Sequence, residues 1–178
     1  MTFARYLTIA VMTSILFIPA HQAAAAGRDL EILGWVENAH LMDPVIALKA
    51  KLDTGAETSS LDAEVIKKFR KDGKRWVRFR LGDRETGEDF IVVRERKRTI
   101  GVVQHDGSTQ RRPVVEMKVC IAGRVISTEV SLIDRSEFNY PLLLGRSALQ
   151  TFALVDPGDT FLSEPVCDPE PSDEGGDT

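Results

Sequence analysis

Alternation of apolar and polar residues is the feature of this 178-residue sequence that most restricts its fold. In WVRFRL (76–81), three apolar residues fall on one side of an extended chain and two arginines on the other. PVVEMKVCIA (113–122) repeats the pattern, and a turn separates it from VISTEVSLI (125–133). Short alternating segments joined by turns predict a mainly β protein with a closed sheet.

The rest of the pattern completes this prediction. AEVIKKFRK (63–71) is predicted to be a short helix that ends at Asp72-Gly73, and RSALQTF (146–152) a helix of two turns. The other predicted strands are 30–36, 44–52, 89–96, 141–145 and 153–156. The length fits one ordinary domain of roughly 100–150 residues.

The N-terminal segment is predicted to be a signal peptide rather than part of the domain. Arg5 precedes an almost unbroken apolar run over 6–20, and small residues follow at Ala24 and Ala26. The run is short for a transmembrane helix of about 20 residues. We expect export to the periplasm and removal of residues 1–26; an uncleaved anchor and a buried helix are the alternatives.

The C-terminal segment differs in composition from the domain, which is expected to cover 27–162. Residues 163–178 contain six acidic residues, three prolines and no basic residue, which is typical of a disordered acidic tail. The two cysteines, Cys120 and Cys167, either form a disulfide that attaches this tail or remain two thiols.

The net charge and its distribution along the sequence restrict the classes of binding partner. A formal net charge of -4 does not indicate nucleic-acid binding. Residues 67–98, which include RERKR at 94–98, are locally basic. This region is either a solvated sheet face or a contact for an anionic envelope component or acidic partner.

One predicted strand, 44–52, runs directly into Asp53-Thr54-Gly55-Ala56. Asp and Gly are turn formers, so this is either a tight turn or a catalytic carboxylate on a rigid loop. Downstream, Leu143-Leu144-Gly145-Arg146 leads from a short strand into the predicted helix. Between the two motifs, GVVQHDGSTQRRP (101–113) is polar and contains glycine, which predicts a mobile hairpin tip.

LDTGAETSSL, RRPVV, DRSEFNYPLLLGRSAL and LVDP together resemble the retropepsin family of aspartic proteases. In particular, they look like bacterial retropepsin-like proteins often labelled ATP-dependent zinc proteases, over about 31–162. The resemblance implies a closed retropepsin-like β-barrel with one short C-terminal helix. The sequence has neither an HExxH zinc motif nor a P-loop, so we expect no zinc, no ATP and no other cofactor.

The resemblance also implies residue roles. Asp53 is the catalytic carboxylate, and Gly55 allows the backbone to approach a substrate closely. The residues expected to support the active-site loop are Thr54, Gly55, Ala56, Leu143, Leu144, Gly145 and Arg146. Residues 101–112 would form a flap that covers the substrate, with His105, Asp106 and Gly107 at its tip. An ion pair between Glu57 and Arg146 is a further possibility.

An aspartic protease needs two carboxylates that share one proton, but Asp-Thr-Gly occurs once in this chain. The resemblance therefore implies a weak homodimer in which Asp53 faces Asp53 of a second copy, acting on a peptide or protein. The alternative is a retropepsin-like module that binds peptides or envelope polymer without turnover. A metal-dependent hydrolase is disfavoured because candidate ligands are few. The separation of 92 positions from Asp53 to Gly145 exceeds that in retroviral proteases, and we assign the excess to 67–98.

Overall fold

The computed structural model describes residues 29–103 and 106–167, and within them the mainly β prediction is confirmed. The elements are β1 (Glu31–Gly34), β2 (Val36–Met42), β3 (Val45–Leu52), β4 (Ser59–Asp62), β5 (Glu64–Lys71), β6 (Lys74–Gly82), β7 (Asp89–Glu95), β8 (Arg98–Val103), β9 (Thr109–Ile121), β10 (Arg124–Ile133), β11 (Leu142–Leu144), α1 (Arg146–Leu149) and β12 (Ala153–Asp156).

The largest sheet closes on itself. Its seven strands follow the order β10-β4-β11-β3-β2-β9-β8, and a further pairing of β9 with β10 completes a ring. The short strand β11 lies between β3, to which it is parallel, and β4, to which it is antiparallel. This ring is consistent with the retropepsin-like architecture that the sequence resemblance implied.

A separate three-stranded sheet, β5-β6-β7, packs against the ring. Val77, Phe79 and Leu81 on β6 are buried in the common core, as their alternation predicted, while Arg78 and Arg80 are exposed. This sheet contains most of the 67–98 region to which the extra length was assigned. The extra length therefore forms an ordered layer that contributes core side chains.

The predicted helix over 63–71 is wrong, because these residues form strand β5. The Asp72-Gly73 pair, which the sequence suggested as a helix end, is instead a two-residue hairpin turn between Lys71 and Lys74. Both residues have positive φ, 50° for Asp72 and 74° for Gly73, as a type I′ turn requires. Pairing with β6 therefore outweighs the local helical pattern. The C-terminal helix α1 is also shorter than predicted and ends at Leu149.

A buried carboxylate holds the C-terminal segment on the domain. Glu37 on β2 is fully buried. Its Oε1 accepts hydrogen bonds from the backbone N–H groups of Gly34 at 2.6 Å and Leu162 at 3.0 Å. Its Oε2 accepts bonds from Ser163, from the backbone N–H at 3.1 Å and the hydroxyl at 3.0 Å. Four donors thus compensate for the loss of water around this carboxylate.

Cys120 and Cys167 form a disulfide with a Cα–Cα distance of 6.0 Å, which decides between the two possibilities left open by the sequence. Residues 163–167, the first five of the predicted tail, are therefore attached to β2 and β9. The predicted signal peptide and the remainder of the tail lie outside the described residues. Within the described residues, no helix is long and apolar enough to cross a membrane.

Loss of the disulfide should destabilise the fold. It closes a loop with a sequence separation of 47, for which chain entropy predicts a stabilisation of about 4 kcal/mol. We expect Cys167→Ser to lower the free energy of unfolding by about that amount in urea titrations. The double variant Cys120→Ser/Cys167→Ser is the control for an unpaired thiol. Equal stability of oxidised wild type and both variants would contradict this prediction.

Candidate active site

The Asp53 loop begins where β3 ends and is fixed by hydrogen bonds on both sides. The backbone N–H of Leu52 donates to the carbonyl of Trp35 at 2.9 Å, and that of Asp53 donates to the carbonyl of Leu144 at 2.9 Å. These bonds tie the loop to the start of β2 and to β11. The position of Asp53 is thus set by neighbouring strands as well as by its own turn.

The Asp53 carboxylate accepts bonds from its own loop. Its Oδ1 accepts the N–H groups of Gly55 at 2.9 Å and Ala56 at 3.2 Å. Its Oδ2 lies 3.3 Å from Nζ of Lys51, and 26% of the side chain remains exposed. The carboxylate is therefore oriented by backbone donors but accessible from solvent.

Several effects act on the pKa of Asp53. Partial burial raises it, but the hydrogen bond from Lys51, the N–H of Gly55, the charge of Lys51 and the N–H of Ala56 together lower it below 3.8. In a single chain, Asp53 is therefore ionised at neutral and mildly acidic pH. An ionised aspartate is the form that can accept a proton from water.

Arg146, from the motif at residues 143–146, forms hydrogen bonds to the Asp53 loop. The backbone N–H of Arg146 donates to the carbonyl of Ala56 at 2.9 Å. Its guanidinium Nη1 donates to the carbonyls of Thr54 at 3.0 Å and Gly55 at 2.9 Å. The possible ion pair with Glu57 is not formed in the part of the chain that the structure describes, because the guanidinium binds these loop carbonyls instead.

Gly145 lies where no side chain fits. A Cβ at this position would be 2.8 Å from the carbonyl carbon and oxygen of Thr58 and 2.9 Å from the carbonyl oxygen of Glu57. Its backbone N–H donates to Oγ of the buried Ser59 at 3.1 Å. The glycine thus allows α1 to begin directly against the loop that follows Asp53.

The predicted loop-support residues meet around the Asp53 loop, whereas Asp106 and Gly107 of the predicted flap make no hydrogen bond to it among the described residues. Leu143 on β11 pairs with Lys51 and Ser60, beneath the loop. Asp106 and Gly107 are exposed in the turn between β8 and β9, where Oδ1 of Asp106 accepts the N–H of Ser108 at 2.9 Å. Within the described residues they form no hydrogen bond to residues 53–56, and His105 lies outside the described residues.

A buried arginine near the site was not predicted from the sequence. Arg135 is 6% exposed, and its Nη1 donates to Oγ of Ser60 at 2.8 Å. Its Nε donates to the carbonyl of Tyr140 at 3.1 Å, and its guanidinium lies 4.5 Å from the ring centre of Phe138. No local pattern marks Arg135, because its partners depend on strand pairing.

Arg135 belongs to a group of charges that includes the catalytic candidate. Burial lowers its pKa, and the charge of Asp62 opposes this effect. Arg112 and Arg84 lower it further, while the charge of Asp53 raises it. Arg112 is itself partly buried, which lowers its pKa, and its Nε donates to Oε1 of Gln110 at 2.8 Å. Arg135 therefore interacts electrostatically with Asp53, and Arg112 interacts with Arg135.

Lys51 was also missed, although its position on β3, two residues before Asp53 in an extended chain, was a usable signal. Among residues 29–103 and 106–167, no cluster of three or more His, Cys, Asp or Glu side chains could hold a metal ion. That the site works without a metal or cofactor stays a prediction.

Comparison with known proteins identifies the family. A family model described as RimB-like, retropepsin-like aspartic endopeptidase RimB, matches residues 32–165. This chain belongs to the RimB-like family. The resemblance to retropepsins is thereby confirmed. A crystal structure of a Legionella pneumophila protein of unknown function shares the fold with 36% identity and a TM-score of 0.65, over 75% of this chain and 98% of that chain.

The RimB-like chain also matches parts of longer proteins. A probable alpha-L-glutamate ligase of Shewanella pealeana is 33% identical over 119 residues, which are 66% of this chain and 26% of the ligase. One from Parasynechococcus marenigrum is 34% identical over 113 residues, 62% of this chain and 24% of the ligase. The chain thus spans about a quarter of the length of these relatives.

Removal of the Lys51 amine should raise the pKa of Asp53. In Lys51→Gln, we expect the NMR titration midpoint of the Asp53 carboxyl to move up from the wild-type value, because one hydrogen bond and one positive charge are lost. Lys49→Gln, on the same strand, is the matched control and should leave the midpoint unchanged.

The same substitution should change acid stability. A lowered pKa stabilises the fold above the unfolded value near 3.8, and this contribution is lost as pH falls through the folded value. The stability difference between wild type and Lys51→Gln should therefore disappear at low pH. An identical Asp53 midpoint in wild type and Lys51→Gln would show that the ion pair does not form in solution.

Proposed function

We propose that this protein is a retropepsin-type aspartic endopeptidase that hydrolyses peptide bonds with Asp53 from each of two chains. The observation that carries the proposal is the clamped Asp53 loop. Backbone donors orient its accessible carboxylate, and Arg146 binds two carbonyls of the same loop. Such rigidity is what a catalytic carboxylate needs and a simple surface turn does not.

The proposed chemistry follows from two close carboxylates. Two like charges about 3 Å apart do not both ionise, so the pair holds one proton. The ionised Asp53 accepts a proton from water, whose oxygen attacks the scissile carbonyl carbon. The protonated Asp53 of the second chain donates to the carbonyl oxygen. On collapse of the tetrahedral intermediate the C–N bond breaks: the Asp53 that took the proton from water gives it to the leaving amine, and the other Asp53 takes back the proton of the former carbonyl oxygen.

Lys51 stabilises the ionised form of Asp53 in the single chain. Its amine lies beside Oδ2 of Asp53, where it favours the fully ionised carboxylate. In the proposed dimer, the carboxylate of the second Asp53 approaches the first. A proton shared by the two carboxylates then offsets their charge, as the Lys51 amine does for the single carboxylate in one chain. Dimer formation would therefore displace Lys51 and raise one pKa of the Asp53 pair.

Exposed residues around the loop support a weak dimer. Thr54 and Gly55 are exposed, so both are available to a second loop. Ile32 and Leu154 are neighbours in the β1–β12 pair and are 62% and 53% exposed. Since β1 and β12 already pair within one chain, the partner gains only their outer edges and side chains. We therefore expect weaker association than in dimers that exchange terminal strands.

The proposed location is the periplasm. Residues 1–26 have the composition of a signal peptide, and the disulfide favours an oxidising compartment. An intact-mass measurement on the exported protein tests this, since cleavage leaves a chain that begins at Gly27.

Mixing of active and inactive chains tests the dyad. Asp53→Asn keeps an Oδ1 acceptor for Gly55 and Ala56, so the fold should persist while the shared proton is lost. With a ninefold excess of Asp53→Asn chains, random exchange should lower activity per wild-type chain about tenfold. Asp89→Asn, which alters a distant surface acid, is the control and should not suppress activity.

Two results would contradict this proposal. Unchanged activity per wild-type chain, with a monomeric mass by light scattering, would mean that one Asp53 acts without a second copy. Absence of cleavage by wild type at any concentration that gives dimers would favour the non-catalytic binding module.

We further propose that the substrate carries glutamate side chains near the scissile bond. Two observations support this choice. The relatives that contain a matching segment are named as probable ligases of alpha-L-glutamate. Arg112 is partly buried, has no acidic partner among the described residues, and interacts electrostatically with Arg135 near Asp53. A substrate carboxylate would supply the missing partner.

Paired peptides test this specificity. For Arg112→Gln, kcat/KM should fall about 10-fold or more on a glutamate-containing peptide, since a charge-assisted hydrogen bond contributes about 1.5–3 kcal/mol. The matched glutamine peptide should be affected by less than about threefold. Arg78→Gln, on the outer face of β6, is the control. Equal losses on both peptides would show that Arg112 does not select a carboxylate.

A further inference from the structure

A second basic site lies outside the Asp53 loop. A groove of about 480 Å³ separates the β5–β6 end of the three-stranded sheet from the base of the β8–β9 hairpin. Six of its seven lining residues are cationic, and we call it the cationic groove: Lys68, Arg75, Arg96, Lys97, Arg98 and Arg111. With six positive charges, it is a strongly basic concave surface.

Most of these charges are not neutralised by the domain. Nζ of Lys97 lies 3.6 Å from Glu116, and Nε of Arg98 lies 2.7 Å from Glu129. Within the described residues, the other four cationic groove residues have no acidic partner within ion-pair distance. Clustered like charges repel one another, so the groove favours an anionic occupant.

The groove is distinct from the outer face of the same sheet. Lys68 pairs with the buried Val77, and in a sheet paired residues lie on the same face. Lys67 and Arg78, which pair with each other, lie on the opposite face. The cationic groove therefore lies on the side of this sheet that carries Val77, and not on the outer face that carries Lys67 and Arg78.

We propose that the cationic groove binds the acidic C-terminal segment, residues 168–178 of the same chain. This segment follows the described residues and contains five carboxylate side chains and no basic residue. Its acidic residues are Asp168, Glu170, Asp173, Glu174 and Asp177. The guanidinium group of arginine can form two parallel hydrogen bonds to a carboxylate. The groove and the segment are therefore complementary in hydrogen-bonding groups as well as in charge.

The disulfide places the start of this segment within reach. Cys167 is bonded to Cys120 on β9, and Val114, six residues back along β9, accepts the backbone N–H of Lys97 at 2.9 Å. That path is about 20 Å at roughly 3.3 Å per residue. The eleven residues from 168 to 178 span up to about 36 Å when extended. Several residues therefore remain to lie in the groove.

The attachment also raises the local concentration of the segment. A short tether gives an effective concentration on the order of millimolar, so even a weak interaction would fill the groove. If the substrate is rich in glutamate, as proposed above, the segment would compete with the parts of the substrate that extend over the base of the β8–β9 hairpin. The occupancy itself does not depend on that proposed function.

Binding of a labelled peptide tests the occupancy. The probe is a fluorescein-labelled peptide with the sequence of residues 168–178, followed by fluorescence anisotropy at low salt. The full chain is compared with a tail-neutral variant, Asp168→Asn, Glu170→Gln, Asp173→Asn, Glu174→Gln and Asp177→Asn. The tail-neutral variant should bind the probe at least about fivefold more tightly, because its own segment no longer competes. Added salt should weaken the binding.

Charge reversal then locates the site. In the tail-neutral background, Arg75→Glu/Arg96→Glu should weaken probe binding about tenfold or more. The matched control, Lys67→Glu/Arg78→Glu, makes the same change in net charge on the outer face and should weaken it less than about threefold.

Two outcomes would overturn the proposal. Equal affinity of the wild-type and tail-neutral chains for the probe would show that the segment does not occupy the groove. Equal effects of the two double variants would place the binding elsewhere. If an oligoglutamate peptide bound the groove while the wild-type and tail-neutral chains remained equal, the occupant would be an external acidic peptide. None of these measurements uses peptide cleavage, so failure of the proposed protease activity leaves them interpretable.

Discussion

Insertion of the three-residue strand β11 between β3 and β4 is the constraint on which the candidate site depends. It places the carbonyl of Leu144 against the backbone N–H of Asp53 and directs Arg146 toward the loop carbonyls. The two motifs are separated by about ninety residues, and Arg146 meets Thr54 at a separation of 92. The site is therefore a product of sheet closure, and its rigidity is that of the ring.

The features that could be predicted from the sequence are those with a periodic pattern or a short local motif. The alternation in β6 and β9 indicated their buried faces correctly, and the Asp53 and Gly145 motifs are recognisable from their own residues. Strand β5 was assigned as helix because its pairing with β6 is not visible in its own residues. The proximity of Lys51 to Asp53 could have been predicted, because side chains two residues apart in an extended chain lie on the same face. The contacts of Arg135 could not, because its partners Ser60 and Tyr140 are brought to it by the packing of β4 and of the chain before β11.

The charges around Asp53 connect the fold with the proposed activity. Within one chain, Lys51 and the loop N–H groups stabilise an ionised carboxylate, which is only half of what the chemistry requires. The charge of Asp53 also raises the pKa of the buried Arg135, while the charge of Arg112 lowers it, so these three groups interact electrostatically. In the proposed dimer, the second aspartate would compete with Lys51 for the position beside Asp53.

The hydrogen bonds of Glu37 have a consequence for how this domain can vary. Because its two oxygens accept the N–H groups of Leu162 and Ser163, they fix which residues of the C-terminal segment lie against β2. The disulfide fixes Cys167 independently on β9, so only residues 164–166 connect the two attachments. An insertion or deletion within this three-residue bridge would have to break one attachment or distort both. Variation in length is therefore not expected between Ser163 and Cys167.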